Sequence, residues 1–98
     1  MPTSPDDSPW FVLVEETTGS GDSRMWSLTE VRPASSYEDA QRQAHDLAFT
    51  FSPRHPFSAR QRSVFQIGDD TWVALVEGAT KSFHLRVSVA RWLGDVPQ

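Results

Sequence analysis

The stretch SFHLRVSVARWL, residues 82–93, alternates apolar and polar side chains more regularly than any other part of the chain. The apolar positions recur at every second residue: Phe83, Leu85, Val87 and Val89. Because successive side chains of a strand point to opposite faces of a sheet, this period of two predicts a long strand with one buried face. The polar positions between them, His84 and Arg86 among them, are expected on the opposite face.

Four shorter segments also have the composition of strands. Aromatic and β-branched residues, which favour sheets, are concentrated in residues 10–14, 24–32, 63–67 and 71–77. Glycine and aspartate at residues 68–70 are typical of a turn between the last two of these segments. The sheet is therefore expected to contain about five strands, counting the long one.

A change of period between the second and third strands predicts one helix. Its apolar residues recur at helical spacing: Tyr37, Ala40, Ala44, Leu47, Ala48 and Phe51. Ser35 and Glu38 match the S-x-x-E capping box, and Pro53 ends the pattern. We therefore expect an amphipathic helix of about four turns.

The order β-β-α-β-β-β predicts an α+β fold, with an antiparallel sheet and the helix packed on one of its faces. A sheet that curls into a half-barrel is the alternative form of this fold. With 98 residues the chain is expected to form one domain. We assign residues 10–94 to that domain, residues 1–9 to a disordered N-terminal tail and residues 95–98 to a C-terminal tail.

Composition narrows the function classes. The net charge of −4 argues against a generic nucleic-acid-binding or membrane-surface protein, since both are normally basic. The absence of cysteine excludes disulfides and thiolate sites. The first nine residues lack the features of a signal peptide, so we expect a cytoplasmic protein with no membrane association. Eight arginines against one lysine suggest a bacterial, GC-rich genome.

The predicted sheet has more apolar surface than one helix can cover. Residues 10–14 and 72–76 are apolar at consecutive positions, as in strands that are buried on both faces. A homodimer would cover the second face, and an exposed edge on the long last strand would offer a second route to self-association. The alternative is a twisted monomer whose second face is lined by tryptophans and tail residues.

The sequence contains none of the motifs that indicate a catalytic or cofactor site. It has no nucleophile elbow, no phosphate-binding loop and no pair of histidines at metal-ligand spacing. We therefore predict a non-catalytic protein without a cofactor or metal. A small enzyme or ligand-binding protein whose site forms only at a dimer interface remains an alternative.

The stretch SPRHPFSARQR, residues 52–62, concentrates positive charge in an acidic chain. The candidate partner-binding residues are the cations of this stretch and two on the last strand: Arg54, His55, Arg60, Arg62, His84 and Arg86. We interpret residues 52–62 as a connecting loop whose charge fixes a contact with acidic residues of a protein partner. Arginines near Phe57 also fit a single-stranded nucleic acid or another polyanion, which is the alternative interpretation.

Taken together, these features predict a small interaction or regulatory module. We expect it to act as a homodimer, or to bind another protein as an inhibitor or immunity-type protein does. Nucleic acid is the less favoured partner because of the overall charge.

Overall fold

The computed structural model describes residues 8–18, 25–52, 59–79 and 81–98. Its elements follow the predicted order: β1 Trp10–Thr18, β2 Met25–Pro33, α1 Tyr37–Thr50, β3 Ala59–Ile67, β4 Thr71–Gly78 and β5 Ser82–Arg91. The expected tail at residues 1–9 lies outside the described residues except for Ser8 and Pro9.

The five strands form one antiparallel sheet in the order β2-β1-β5-β4-β3. The α+β prediction is therefore confirmed, and the sheet stays open instead of closing into a barrel. One expectation is wrong, because β5 is the central strand and offers no free edge. It pairs with β1 on one side and β4 on the other, so the two edges belong to β2 and β3.

The main core lies between α1 and one face of the sheet. Three alanines of the helix, Ala40, Ala44 and Ala48, are fully buried and bring its backbone close to the strands. The strands supply Ala74 and seven larger side chains to the same cluster: Val12, Val14, Trp72, Val76, Phe83, Leu85 and Val87. Burying a valine or leucine fully contributes about 1.5–3 kcal/mol, so this layer accounts for the position of α1.

The helix begins one residue later than the predicted capping box. Ser36 is the N-cap, and its side chain accepts a hydrogen bond of 3.0 Å from the main-chain N–H of Asp39. The Asp39 carboxylate in turn accepts a 2.9 Å hydrogen bond from the N–H of Ser35. This exchange satisfies two donors, as Ser35 and Glu38 were expected to do. The hydrogen bond from Ser35 is the largest cause of the lowered pKa of Asp39.

Candidate interaction face

The face of the sheet opposite α1 is largely uncovered among the described residues, and we call it the open face. One row of paired residues crosses all five strands on it: Phe65, Val73, Arg86, Glu15 and Leu28. Paired residues point to the same side of a sheet, so these five side chains share the open face. The segment after β5 is exposed from residue 93 onward, and α1 packs on the other side.

Apolar side chains occupy two sides of the open face. The β2 flank consists of Trp26, Leu28 and Val31, which are 40%, 56% and 42% exposed. The β3–β4 flank consists of Phe65 and Ile67, 54% and 59% exposed, with the half-buried Val73 and Leu75. Isolated exposed apolar residues are normal on a protein surface, but two grouped flanks on one face indicate a binding surface.

Charged and aromatic groups lie between these flanks, and we call Glu15, His84, Arg86 and Trp26 the polar centre. Arg86 donates from Nε and Nη2 to the two carboxylate oxygens of Glu15, each at 2.9 Å. The Arg86 guanidinium carbon lies 4.6 Å from the centre of the Trp26 ring. The His84 ring is 6.5 Å from the same tryptophan. Four side chains from three strands therefore form one contiguous group.

Electrostatics in the polar centre favours the charged forms of both partners. The hydrogen bond from Arg86 lowers the pKa of the Glu15 carboxyl against a smaller opposing effect of burial. The same hydrogen bond raises the pKa of Arg86. A forked arginine–carboxylate pair of this kind is fixed in direction, so the polar centre presents a defined pattern of charge.

One end of the open face is closed by the chain itself. Phe11 pairs with Ala90 and Pro33 on this face, and only 4% of its surface is exposed. It does not belong to the core cluster beneath α1. The accessible part of the open face therefore extends from the polar centre toward the two apolar flanks.

The described cations of residues 52–62, Arg60 and Arg62, do not join the polar centre. Residues 59–62 belong to β3, so the interpretation of the whole stretch as a loop is wrong for them. The reason is that β4 extends to Gly78 and supplies pairing partners for Ala59 and Gln61. Arg54 and His55 lie outside the described residues.

Arg62 faces the opposite side of the sheet from Arg86, because it pairs with the buried Val76. Its guanidinium donates to the main-chain oxygens of Ala48 and Phe51 at 3.0 and 2.6 Å. Arg60 is exposed near the start of β3. Of the four candidate residues that the structure describes, it thus brings together His84 and Arg86 and keeps Arg60 and Arg62 apart from them.

Sequence reasoning missed Glu15 and Trp26. Their side chains meet Arg86 across strands that are far apart in the chain; Glu15 and Arg86 are 71 positions apart. The signal for Glu15 was weak, since Glu15 and Glu16 both follow the apolar run of residues 10–14 and nothing in the sequence distinguishes them. No comparable feature of the sequence distinguished Trp26, which was expected only as one of several aromatic residues in the strands.

The described residues show neither a metal-binding cluster nor a membrane-spanning helix. They contain no group of three or more histidine, aspartate or glutamate side chains placed to hold a metal ion. Their helix, α1, lacks the length and apolar character needed to span a membrane. No protein-family model, curated protein or solved structure matches the chain.

Proposed function

We propose that this chain is a small non-catalytic interaction module that acts as a homodimer through the open face of its sheet. The observation that carries the proposal is the pattern of that face. Two exposed apolar flanks border a charged centre, and no described element packs on them. Such a patch is costly to leave in water and is typical of a protein–protein contact.

The dimensions of the open face fit a stable contact. Its five strands contain eight to ten residues each. At about 4.8 Å between strands and about 3.3 Å per residue, the face measures roughly 25 by 30 Å. This area of about 700 Å² approaches the ~800 Å² that each partner buries in a standard interface.

A second copy of the chain matches the face in chemistry as well as in size. A symmetric dimer uses the same patch on both subunits, so the patch must be complementary to itself. The open face contains apolar flanks that can cover one another, and the cation Arg86 and the anion Glu15 lie side by side at its polar centre. A different protein, as in a regulatory or inhibitor role, is the other partner that this face fits.

The polyanion alternative receives less support from the side-chain contacts. Arg62 is directed at main-chain carbonyls at the end of α1, and Arg86 at the carboxylate of Glu15. Both arginines therefore already donate to oxygen atoms of this chain, and the Glu15 carboxylate offsets the charge of Arg86. We find no observation that favours a ligand or catalytic site at a dimer interface, and we propose a cytoplasmic location for the dimer.

The test is the solution mass of the full chain, measured by light scattering on a sizing column. We expect a particle of twice the 11.0 kDa chain mass. Phe65→Lys should give a monomer, because it places a charge on the β3–β4 flank. Phe49→Lys is the matched control, since Phe49 is a helix residue 52% exposed against 54% for Phe65. A monomeric unmodified chain, or equal behaviour of both variants, would overturn the proposal.

A further inference from the structure

We infer that the two-fold axis of the dimer passes beside Arg86, so that each Arg86 bridges Glu15 of its own subunit and Glu15 of its partner. This inference rests on the proposed homodimer. It specifies the registration of the dimer, which is the position of one sheet relative to the other. It assigns the polar centre a function that the apolar flanks cannot perform, which is to select one arrangement of the two sheets.

Arg86 lies near the middle of the sheet. It is the fifth of the ten residues of β5, and β5 is the third of the five strands. Arg86 therefore lies at the geometric centre of the open face. In a symmetric dimer that uses both apolar flanks, which lie on either side of Arg86, the two-fold axis crosses the region between them. The two copies of Arg86 then necessarily approach one another.

The charges of the two Arg86 side chains at that axis are balanced by Glu15. Two guanidinium groups that meet in a contact from which water is removed repel each other strongly. The structure places Glu15 directly opposite Arg86 on the neighbouring strand. If the two-fold axis passes between these two side chains, each arginine lies opposite the partner's carboxylate. The four groups then form a ring of alternating charge, which offsets the repulsion.

Arg86 and Glu15 each retain the capacity for a second contact. Arg86 uses two of its five guanidinium N–H groups in the fork to Glu15. Its side chain remains 38% exposed and that of Glu15 27% exposed, so both can make a second contact. Trp26 lies against the guanidinium at 4.6 Å and restricts its orientation by cation–π attraction. The pair is therefore arranged for a second carboxylate before association.

The ring of charge also accounts for selectivity between arrangements. If the two sheets slid relative to each other, Arg86 and Glu15 would be buried against the apolar flanks without a partner. Leaving a charge unpaired in a contact is costly, whereas an apolar flank tolerates several partners. The polar centre thus fixes the registration, and the flanks provide the area.

The decisive experiment exchanges the charges between two variants. Glu15→Arg leaves two cations at the centre of each subunit, and Arg86→Glu leaves two anions. Each variant alone should be a monomer by light scattering, since its dimer would gather four like charges. An equimolar mixture should form a heterodimer of twice the chain mass, because the two cations of one subunit then face the two anions of the other.

Two results would overturn the inference. One is that either variant dimerises alone as the unmodified chain does, and the other is that the mixture remains monomeric although both variants are folded by circular dichroism. If Phe65→Lys still dissociates the dimer in these cases, the proposed homodimer stands and only its registration is wrong. If the unmodified chain is itself a monomer, the proposed function fails first.

Neutral variants keep the test decisive if a charge reversal prevents folding. Arg86→Gln leaves the two Glu15 carboxylates near the axis without a cation and should raise the dimer dissociation constant at least tenfold. Adding Glu15→Gln to it should recover part of that loss, measured by sedimentation equilibrium. Purely additive effects of the two substitutions would contradict contact across the axis.

Discussion

The guanidinium of Arg62 lies 2.6 Å, through Nη2, from the main-chain carbonyl oxygen of Phe51, the residue that closes α1. Its Nη1 donates to the carbonyl of Ala48 at 3.0 Å. The last carbonyls of a helix have no partner within the helix and carry partial negative charge. Because the last turn of α1 contains no basic residue of its own, β3 supplies the cation.

Removal of this cap should destabilise the fold. We expect Arg62→Ala to lower the free energy of unfolding by about 1–3 kcal/mol, since hydrogen bonds from a charged donor are lost. Arg60→Ala is the matched control on the same strand, and as an exposed site it should change stability by less than about 0.5 kcal/mol. Urea denaturation at one protein concentration measures both. Equal losses for the two variants would show that Arg62 acts only through net charge.

The contrast between α1 and Arg62 shows how far the sequence determines this fold. The alanine stripe of α1 and the alternation of Phe83, Leu85 and Val87 are local patterns, so their elements and buried faces could be predicted. The contact of Arg62 with Phe51 depends on where β3 pairs, which no local pattern specifies. The cation therefore appeared to be a loop charge available for binding.

The same distinction applies to the open face. An apolar face without a cover could be predicted, because β1 and β4 are apolar on both sides. The strand order could not, and the central position of β5 replaced an expected edge with the middle of the sheet. Glu15, Trp26 and Arg86 meet only because β2, β1 and β5 are neighbours in that order. Two of the four residues of the polar centre, Glu15 and Trp26, are therefore placed there by the order of the strands.

Acid should weaken the pair at the centre of the open face. Arg86 lowers the pKa of Glu15 below its ordinary value of 4.5. A carboxyl whose pKa is lower in the folded state stabilises the fold above its unfolded pKa and loses this effect as the pH falls through the folded pKa. We therefore expect the pair's contribution to be complete at neutral pH and to disappear in the acidic range below that value.

The comparison of Glu15→Gln with the unmodified chain checks this dependence. Urea unfolding at fixed protein concentration, between about pH 3 and pH 7, should show a shallower acid decline for the variant. Glu77→Gln is the control, since Glu77 is exposed at the end of β4, and it should retain the decline of the unmodified chain. Identical pH profiles for all three proteins would contradict the prediction.

Tyr37 provides a spectroscopic test of the packing between α1 and the β3–β4 turn. Its hydroxyl donates a 2.6 Å hydrogen bond to the Asp70 carboxylate, which raises the pKa of the phenol. Tyr37 is the only tyrosine of the chain, so the absorbance of tyrosinate reports on this group alone. We expect its ionisation midpoint above 10, because an ionised phenol would lose the hydrogen bond and face a carboxylate.

Asp70→Asn should move that midpoint down toward the ordinary value. Asp69→Asn is the control, because Asp69 affects the phenol only through its more distant charge and should shift the midpoint less. Both titrations use the same absorbance band in the intact chain. A midpoint that does not respond to Asp70→Asn would show that the turn does not hold Tyr37 in solution.

Leu85 and Leu75 distinguish folding from association, since they are the same residue type on opposite faces of the sheet. Leu85 is fully buried beneath α1, so Leu85→Ala should cost about 2–5 kcal/mol at every protein concentration. Leu75 is half-buried on the open face and becomes fully buried only when a second sheet covers it. The loss from Leu75→Ala should therefore grow with protein concentration, because dimer formation stabilises the folded state by mass action.

Thermal unfolding over a hundredfold range of concentration measures this difference. A loss for Leu75→Ala that is independent of concentration would show that the open face does not bind a second copy.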